Sequence, residues 1–394
     1  MNVVHISTYS PRECGIALYT KDLVQSIGSD AFVHDVFAVD DFKLNYKYTS
    51  PVSFAINAND PSDYRRAADL VNQCECQVVS LQHEFGIFGE EWGRNILAFT
   101  GSLQKPLITT FHTVLRDLPQ VAREIFIDLS SRSRYIVVTI GKAAQIVTET
   151  YNVHANKVRI IPHGAPSACS LNKDGAKEKL GLSGRTIVSI VGFLSPAKGV
   201  DCGIEAMKSV IEKHPTALLL IVGETHPTLR LHEGEAYREK LESLVTKLGL
   251  EPNVAFVNRF VSDEELSIIF GISDIYLAPY RGRDQVSSGT LTAAMAHGKA
   301  IVSTPTLFAQ ETLSPERGLF CEFDDATSIA TQIDRVLGDD SLKRRLEACA
   351  RDHGKEVEWR HTAKNYAEVL AEAANPNREE VESIARSFEQ WIPS

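Results

Sequence analysis

The sequence predicts an α/β protein of two doubly wound domains facing each other across a cleft. Three observations predict it. From Val3 to Phe320, short apolar runs alternate with longer amphipathic ones. That is the β-α-β alternation of a largely parallel sheet covered on both faces. The alternation comes as two series, separated by a Gly, Pro, Ser and Asn cluster near 165–175. The 394 residues suffice for two domains of ordinary size. We place the domains at 1–168 and 169–376, with a final helix at 377–394.

The elements follow in order. Val3 to Thr8 reads as a strand, Ile16 to Ile27 as a helix and Val33 to Val39 as a strand. Pro61 to Cys74 reads as a helix, with Pro in the first turn. Val78 to Gln82, Leu107 to Phe111, Tyr135 to Thr139 and Val158 to Ile161 are further strands. The second series has strands at Thr186 to Val191, Ala217 to Val222, Val254 to Phe256, Ile275 to Ala278, Ala300 to Val302 and Gly318 to Phe320. Its helices are Val200 to Glu212, Glu233 to Leu248, Glu264 to Ile272 and Leu291 to His297. After Asp325 the chain reads as helical, is broken at Asn375-Pro376-Asn377, and ends in an amphipathic helix from Arg378 to Trp391.

Hydrophobic residues make up 43% and charged residues 23%, as in soluble globular proteins. The formal net charge of −10 argues against a nucleic-acid partner. No apolar run reaches the roughly 18 residues of a membrane span. The N-terminus lacks a basic, cleavable leader, so a cytoplasmic location is expected. The seven cysteines lack zinc-ligand spacing and read as reduced, mostly buried thiols.

In doubly wound sheets, ligands lie beyond the carboxyl ends of the strands, so the turns there are the candidates. Ser287-Ser288-Gly289-Thr290 opens the helix that runs through Leu291. It gathers free N–H groups, hydroxyls and a helix N-terminus, a phosphate-binding arrangement. Gly15 stands just before the helix after the first strand. Lys198, in the Gly- and Pro-bounded loop Gly192-Phe193-Leu194-Ser195-Pro196-Ala197-Lys198-Gly199, can bring positive charge to a phosphate. Gly223 ends the next strand, and Arg259, Phe260 and Val261 end another. Arg281 and Arg283 precede the Ser287 turn. In the first half, His83 and Glu84 lie in a loop of glycines and aromatics, where a carboxylate can bond sugar hydroxyls. His112 stands at a strand end, placed for hydrogen bonding or proton transfer. His163 marks the domain junction. There is neither a Walker-type loop nor a nucleophile elbow.

The ordered set Cys14-Gly15-Ile16, Phe111-His112-Thr113, Ile161-Pro162-His163-Gly164, Val191-Gly192 to Lys198-Gly199, Val222-Gly223, Phe260-Val261-Ser262-Asp263 and Ser288-Gly289 to His297-Gly298 resembles the retaining glycosyltransferases of family 4. The resemblance covers nearly the whole chain. It implies two Rossmann-like domains of GT-B type, with the final helix crossing back onto the first. It further implies a nucleotide-sugar donor as substrate, a carbohydrate or other hydroxyl acceptor, retention of configuration, and no metal or cofactor. By position, His112 would sit beside the donor sugar and Lys198 on the diphosphate. Ser288, Gly289, Thr290 and Leu291 would offer N–H groups to that diphosphate, Gly15 would lie against it, and the backbone around Phe260 and Val261 would hold the base.

The chain departs from the family pattern in two places. Phe193 replaces an arginine five residues before the lysine, a role Arg281 or Arg283 would then take over. Gln285 and Ala293 replace two glutamates. Gln285 keeps hydrogen-bonding capacity toward the donor sugar; Ala293 offers nothing to a ribose. Two alternatives follow: a glycoside phosphorylase on the same fold using inorganic phosphate, or a non-catalytic protein that binds sugar nucleotides. The oligomeric state is left open.

Overall fold

The computed structural model describes residues 1–42, 45–168 and 171–375. The chain divides into two compact units, Met1–Gly164 with the segment that begins at Trp359, and Ala165–Glu358. The predicted final helix at 377–394 lies outside the described residues.

The first unit holds strands β1 (Asn2–Ser7), β2 (Val33–Asp40), β3 (Val52–Asn57), β4 (Val78–His83), β5 (Leu107–Phe111), β6 (Tyr135–Val138) and β7 (Val158–Ile160). They form one parallel sheet in the order β3-β2-β1-β4-β5-β6-β7. The second unit repeats the plan with β8 (Thr186–Val191), β9 (Ala217–Val222), β10 (Val254–Val257), β11 (Ile275–Ala278), β12 (Ala300–Ser303) and β13 (Gly318–Phe320). Its order is β10-β9-β8-β11-β12-β13, again parallel. In each sheet the winding reverses between the first and fourth strands. There the loops leave in opposite directions and open a crevice.

The central strands are buried on both faces, so they read as unbroken apolar runs: Ala217–Val222 is buried at every position. Helices cover them with one apolar stripe. Val200–Lys213 turns Ile204, Met207 and Val210 into the second core, and Trp359–Ala374 turns Trp359, Tyr366, Leu370 and Ala373 into the first. Start signals are local. Asp60 accepts a hydrogen bond from Ser62 N–H ahead of Pro61–Gln73, and Ser262 with Glu265 forms a capping box on Asp263–Ile272. The one strand the sequence reading lacks is β3, an edge strand buried only at Ile56. Of the cysteines expected to be mostly buried, Cys76, Cys202 and Cys321 are so, whereas Cys74 is exposed because it ends a surface helix. Cys169 lies outside the described residues. No helix among the described residues is long and apolar enough to cross a membrane.

Burial in the first unit also holds histidines neutral. His5, His83 and His112 are each pushed down to about 3 by desolvation, with neighbouring histidines adding to it at His5 and His112. A folded-state value below the unfolded one, about 6.5, means these rings stabilise the fold fully above that pH. The contribution is lost as pH falls from there toward 3. One unit below 6.5, each ring costs roughly 1 kcal/mol. The thermal midpoint is therefore expected to drop by several degrees between pH 7.5 and 5.5. Equal midpoints would mean that the rings take up protons in the native state.

Candidate functional site

In the second unit the candidate residues gather at the carboxyl ends of β8 and β11, where the winding reverses. Gly192 follows β8 with φ 126°. A methyl group placed on it would stand 3.7 Å from Lys198 Nζ and 3.9 Å from Thr290 Cγ2. Lys198 and Thr290 therefore converge on one spot of bare backbone. Gly223, after β9, presses against the same glycine: a Cβ there would meet Gly192 O at 2.2 Å. Lys198 ends a short turn, Pro196–Lys198, whose exit Gly199 lies so close to β11 that a Cβ would meet Pro279 O at 2.0 Å. The ammonium of Lys198 rests 4.4 Å from the centre of the Tyr280 ring, a cation–π contact.

Tyr280 belongs to a buried hydroxyl cluster. Its oxygen lies 3.0 Å from Tyr276 Oη, 3.1 Å from Thr290 Oγ1 and 3.3 Å from Ser288 Oγ. Burial pushes the phenol of Tyr280 up, but Lys198 and the surrounding hydroxyls outweigh it and leave it below its ordinary value. Tyr276 is driven well up by burial beside its neighbour. The helix Gly289–Ala296 starts here. Ser288 Oγ accepts from Leu291 N–H at 3.3 Å, which caps the helix and takes the Leu291 N–H group predicted for phosphate. Gly289 and Thr290 keep first-turn N–H groups that have no intrahelical partner. A cation, a helix N-terminus and two open amides thus meet beside Gly192, which suits an anion.

In the first unit, His112 continues from β5 and bonds backbone to backbone with His83, its N–H 3.1 Å from His83 O. Its Nε2 lies 3.0 Å from Gln82 Oε1, and its ring meets the Tyr19 ring edge-on at 4.6 Å. Glu84 accepts from Thr113 Oγ1 at 2.7 Å and from Phe85 N–H at 3.0 Å, while burial raises its carboxyl. His163 sits 5.0 Å from Tyr19, with Nδ1 2.8 Å from Gly164 O. Gly15 opens the helix Gly15–Ile27, whose N-terminus has no side-chain cap. His83 lies deeper than a ligand contact requires. It is fully buried among Phe85, Phe88 and Phe111.

The family profile described as Glycosyl transferases group 1 matches residues 172–353, the body of the second unit. The second unit thus carries the group 1 glycosyl transferase profile. The chain is 29% identical over 194 residues to a GDP-mannose-dependent monoacylated alpha-(1-6)-phosphatidylinositol monomannoside mannosyltransferase of Corynebacterium glutamicum, with 48% of this chain and 47% of that protein covered. It is 25% identical over 296 residues to D-inositol 3-phosphate glycosyltransferase of Acidothermus cellulolyticus, covering 68% and 63%. The chain thus spans about half to under two thirds of these relatives. Among solved structures it superposes on Anabaena HepE in complex with UDP and glucose with a TM-score of 0.77 at 16% identity, covering 94% of this chain and 99% of that one. Sucrose-phosphate synthase from Thermosynechococcus elongatus gives 0.78 at 17%, covering 94% and 98%. The two-unit GT-B fold is the one the sequence predicts.

The departures noted in the sequence have distinct surroundings. Phe193 does not point to a replaced salt link; its ring lies 5.8 Å from Phe260 and 5.7 Å from His226, an aromatic group spanning the ends of β8, β9 and β10. Arg281 does not take over the missing arginine's place. Its guanidinium holds Asp201 at 3.0 Å, Asp324, and Pro196 O at 2.8 Å, clamping the loop that carries Lys198. Arg283 lies over the Phe323 ring at 4.1 Å. Arg259 pairs with Glu265 at 2.8 Å at the surface. Gln285 Nε2 donates to Ser287 O at 2.8 Å and so shapes the turn before the helix. Ala293 is buried.

Sequence reasoning missed Tyr276, Tyr280, Gln82 and Trp92. The tyrosines read as strand core, and only their spacing of four across Pro279 hinted at a shared partner. Trp92 is exposed in a left-handed pair, Glu91 at φ 52° and Trp92 at φ 64°, between Gly89 and Gly93. That strain, costing about 1–3 kcal/mol per residue, had its only trace in the bracketing glycines.

Proposed function

We propose that the protein is a glycosyltransferase that moves a hexosyl group from a nucleotide-diphosphate sugar to a sugar or other hydroxyl acceptor, with retention and without a metal or cofactor. The observation that carries the reading is the convergence of Lys198 Nζ, bare Gly192 and the first turn of Gly289–Ala296. As the bond from the anomeric carbon to the diphosphate breaks, negative charge grows on the leaving oxygen. Lys198 and the Gly289 and Thr290 amides stabilise it, aided by the helix dipole. The acceptor oxygen bonds to the same face of that carbon, and its proton passes to the departing phosphate. A relative named for GDP-mannose use and a structural neighbour holding UDP and glucose support a nucleotide-sugar donor. His112 is assigned to the donor sugar, Glu84 and His163 to the sugar and acceptor side, and Phe260 and Val261 to the base.

The experiment is thermal unfolding of the purified protein with UDP, GDP, ADP, their sugar conjugates and inorganic phosphate. A ligand at about 100 times its Kd stabilises by about 2.7 kcal/mol. Selective stabilisation by one nucleotide names the donor base. Buried Ala293 and the aromatic surroundings of Phe193 favour one other reading, a glycoside phosphorylase, because neither position offers a polar group to a nucleotide. Stabilisation by phosphate alone, with phosphate-dependent disaccharide cleavage, would establish that reading instead.

A further inference from the structure

Beneath His112 lies a buried polar network that no part of the transfer chemistry yet uses. Tyr366, on the helix Trp359–Ala374, reaches between β4 and β5. Its hydroxyl is 2.9 Å from Ser80 Oγ, 2.9 Å from Thr110 Oγ1 and 2.9 Å from Gln82 Nε2. Gln82 Nε2 is also 3.1 Å from Ser80 Oγ, and Gln82 Oε1 is 3.0 Å from His112 Nε2. All five side chains are buried.

Valence fixes the orientation of the amide. One end of Gln82 faces two hydroxyl oxygens, and the other faces one ring nitrogen. The NH2 group has two protons and needs two acceptors; the carbonyl oxygen is content with one donor. Turning the amide over would give the NH2 a single acceptor, His112 Nε2, and leave a buried N–H without a partner. The oxygen therefore faces His112. An amide oxygen only accepts, so the ring nitrogen opposite it must carry a proton.

We propose that Gln82 is a positioning residue: held by Tyr366 and Ser80, it locks His112 as the Nε2–H tautomer and leaves Nδ1 as a bare acceptor for a ligand hydroxyl. Burial keeps the ring neutral, reinforced by His163 and His83. Tyr19 packs on its edge and carries no charge near neutral pH. What meets Nδ1 rests on the glycosyltransferase reading, in which it is a hydroxyl of the donor sugar. The tautomer itself does not. The consequence is a polarity at this point of the site. A hydroxyl that donates is recognised, and a sugar whose hydroxyl is methylated or replaced by fluorine is refused there.

The test is nitrogen NMR of the full chain labelled with 15N-histidine. His112 is assigned by comparison with a His112→Gln sample, and spectra are taken on wild type, Gln82→Met and Gln82→Glu below their melting points. The wild type is expected to show a protonated Nε2 and an unprotonated Nδ1 from pH 6 to 8. Gln82→Met removes the acceptor and should give a mixture of tautomers. Its kcat/KM for the nucleotide sugar should fall about tenfold, the equivalent of one hydrogen bond. Gln82→Glu keeps an acceptor and should restore the Nε2–H form. Its carboxylate, facing the ring with His83 and His163 nearby, should draw His112 toward the imidazolium and add an acidic limb to the pH–rate profile. An Nδ1–H ring in the wild type, or the same single tautomer in Gln82→Met, would overturn the lock. An Nε2–H ring in a protein that turns over no nucleotide sugar would leave the lock standing and remove the transferase reading.

Discussion

Replacing Lys198 by alanine is expected to lower kcat for sugar transfer by about 100- to 1000-fold, the scale seen when one fixed donor to a developing oxyanion is lost. Lys198 is held by the Gly199 approach to Pro279 and by Arg281 bonding Pro196 O, so its ammonium reaches the Gly192 backbone without a search. Its ammonium packs on the Tyr280 ring. Truncation therefore removes charge from the site with little loss of core, and the melting temperature should change by a few degrees at most. KM should change less than kcat, because the charge it answers grows only as the bond to the leaving group breaks. Steady-state kinetics with the nucleotide sugar identified by thermal unfolding checks this. Unchanged turnover would take Lys198 out of the mechanism. A spectroscopic companion is available, since without the ammonium the phenol of Tyr280 should ionise at higher pH, visible in an ultraviolet titration.

Much of the fold was legible because parallel strands covered on both faces must be apolar throughout, as Ala217–Val222 is. The edge strand β3 escaped because only one of its residues, Ile56, is buried, so it carries no such run. In the site, what was legible is what is local. The Lys198–Gly199 turn and the Ser288 cap are made by neighbours in sequence, and their residue types announce backbone geometry directly. What was not legible depends on distant partners. Gln82 and Tyr366 are separated by 284 residues, and nothing in either segment names the other. Arg281 shows the opposite error. A loop arginine near a turn that reads as phosphate-binding looks like a ligand contact until Asp201, 80 residues away, is seen to hold it. Leu291 shows a smaller one: a helix does open at this turn, but its own serine already bonds one of the amides expected to face a phosphate.

Asp274→Asn is expected to cost about 3–5 kcal/mol of stability, the range for stripping one partner from buried charges. Asp274 sits just before β11, nearly fully buried. Its carboxylate accepts from Lys343 Nζ at 2.7 Å, Lys173 Nζ at 2.8 Å, Lys177 Nζ at 3.0 Å and Ile187 N–H at 2.9 Å. One side chain thus ties two helices and the start of β8 to β11. Burial alone would raise its carboxyl, but the lysines outweigh that and hold it far below the usual carboxylate range. A depressed folded value means that the contribution is complete above the unfolded value of about 3.9 and is lost only as pH falls below it. The wild type should accordingly keep this link through pH 5. In the variant, ammonium groups are left in a desolvated cluster that also contains Lys299, itself drawn down to about 8 by burial and then by Lys173. Their folded values would then lie below the unfolded value of about 10.4, the unfolded chain would bind more protons, and stability would rise with pH. The deficit of Asp274→Asn, measured by urea unfolding, should therefore shrink between pH 7 and 9.5. A deficit equal at both pH values would place the loss in the hydrogen bond to Ile187 N–H rather than in unbalanced charge.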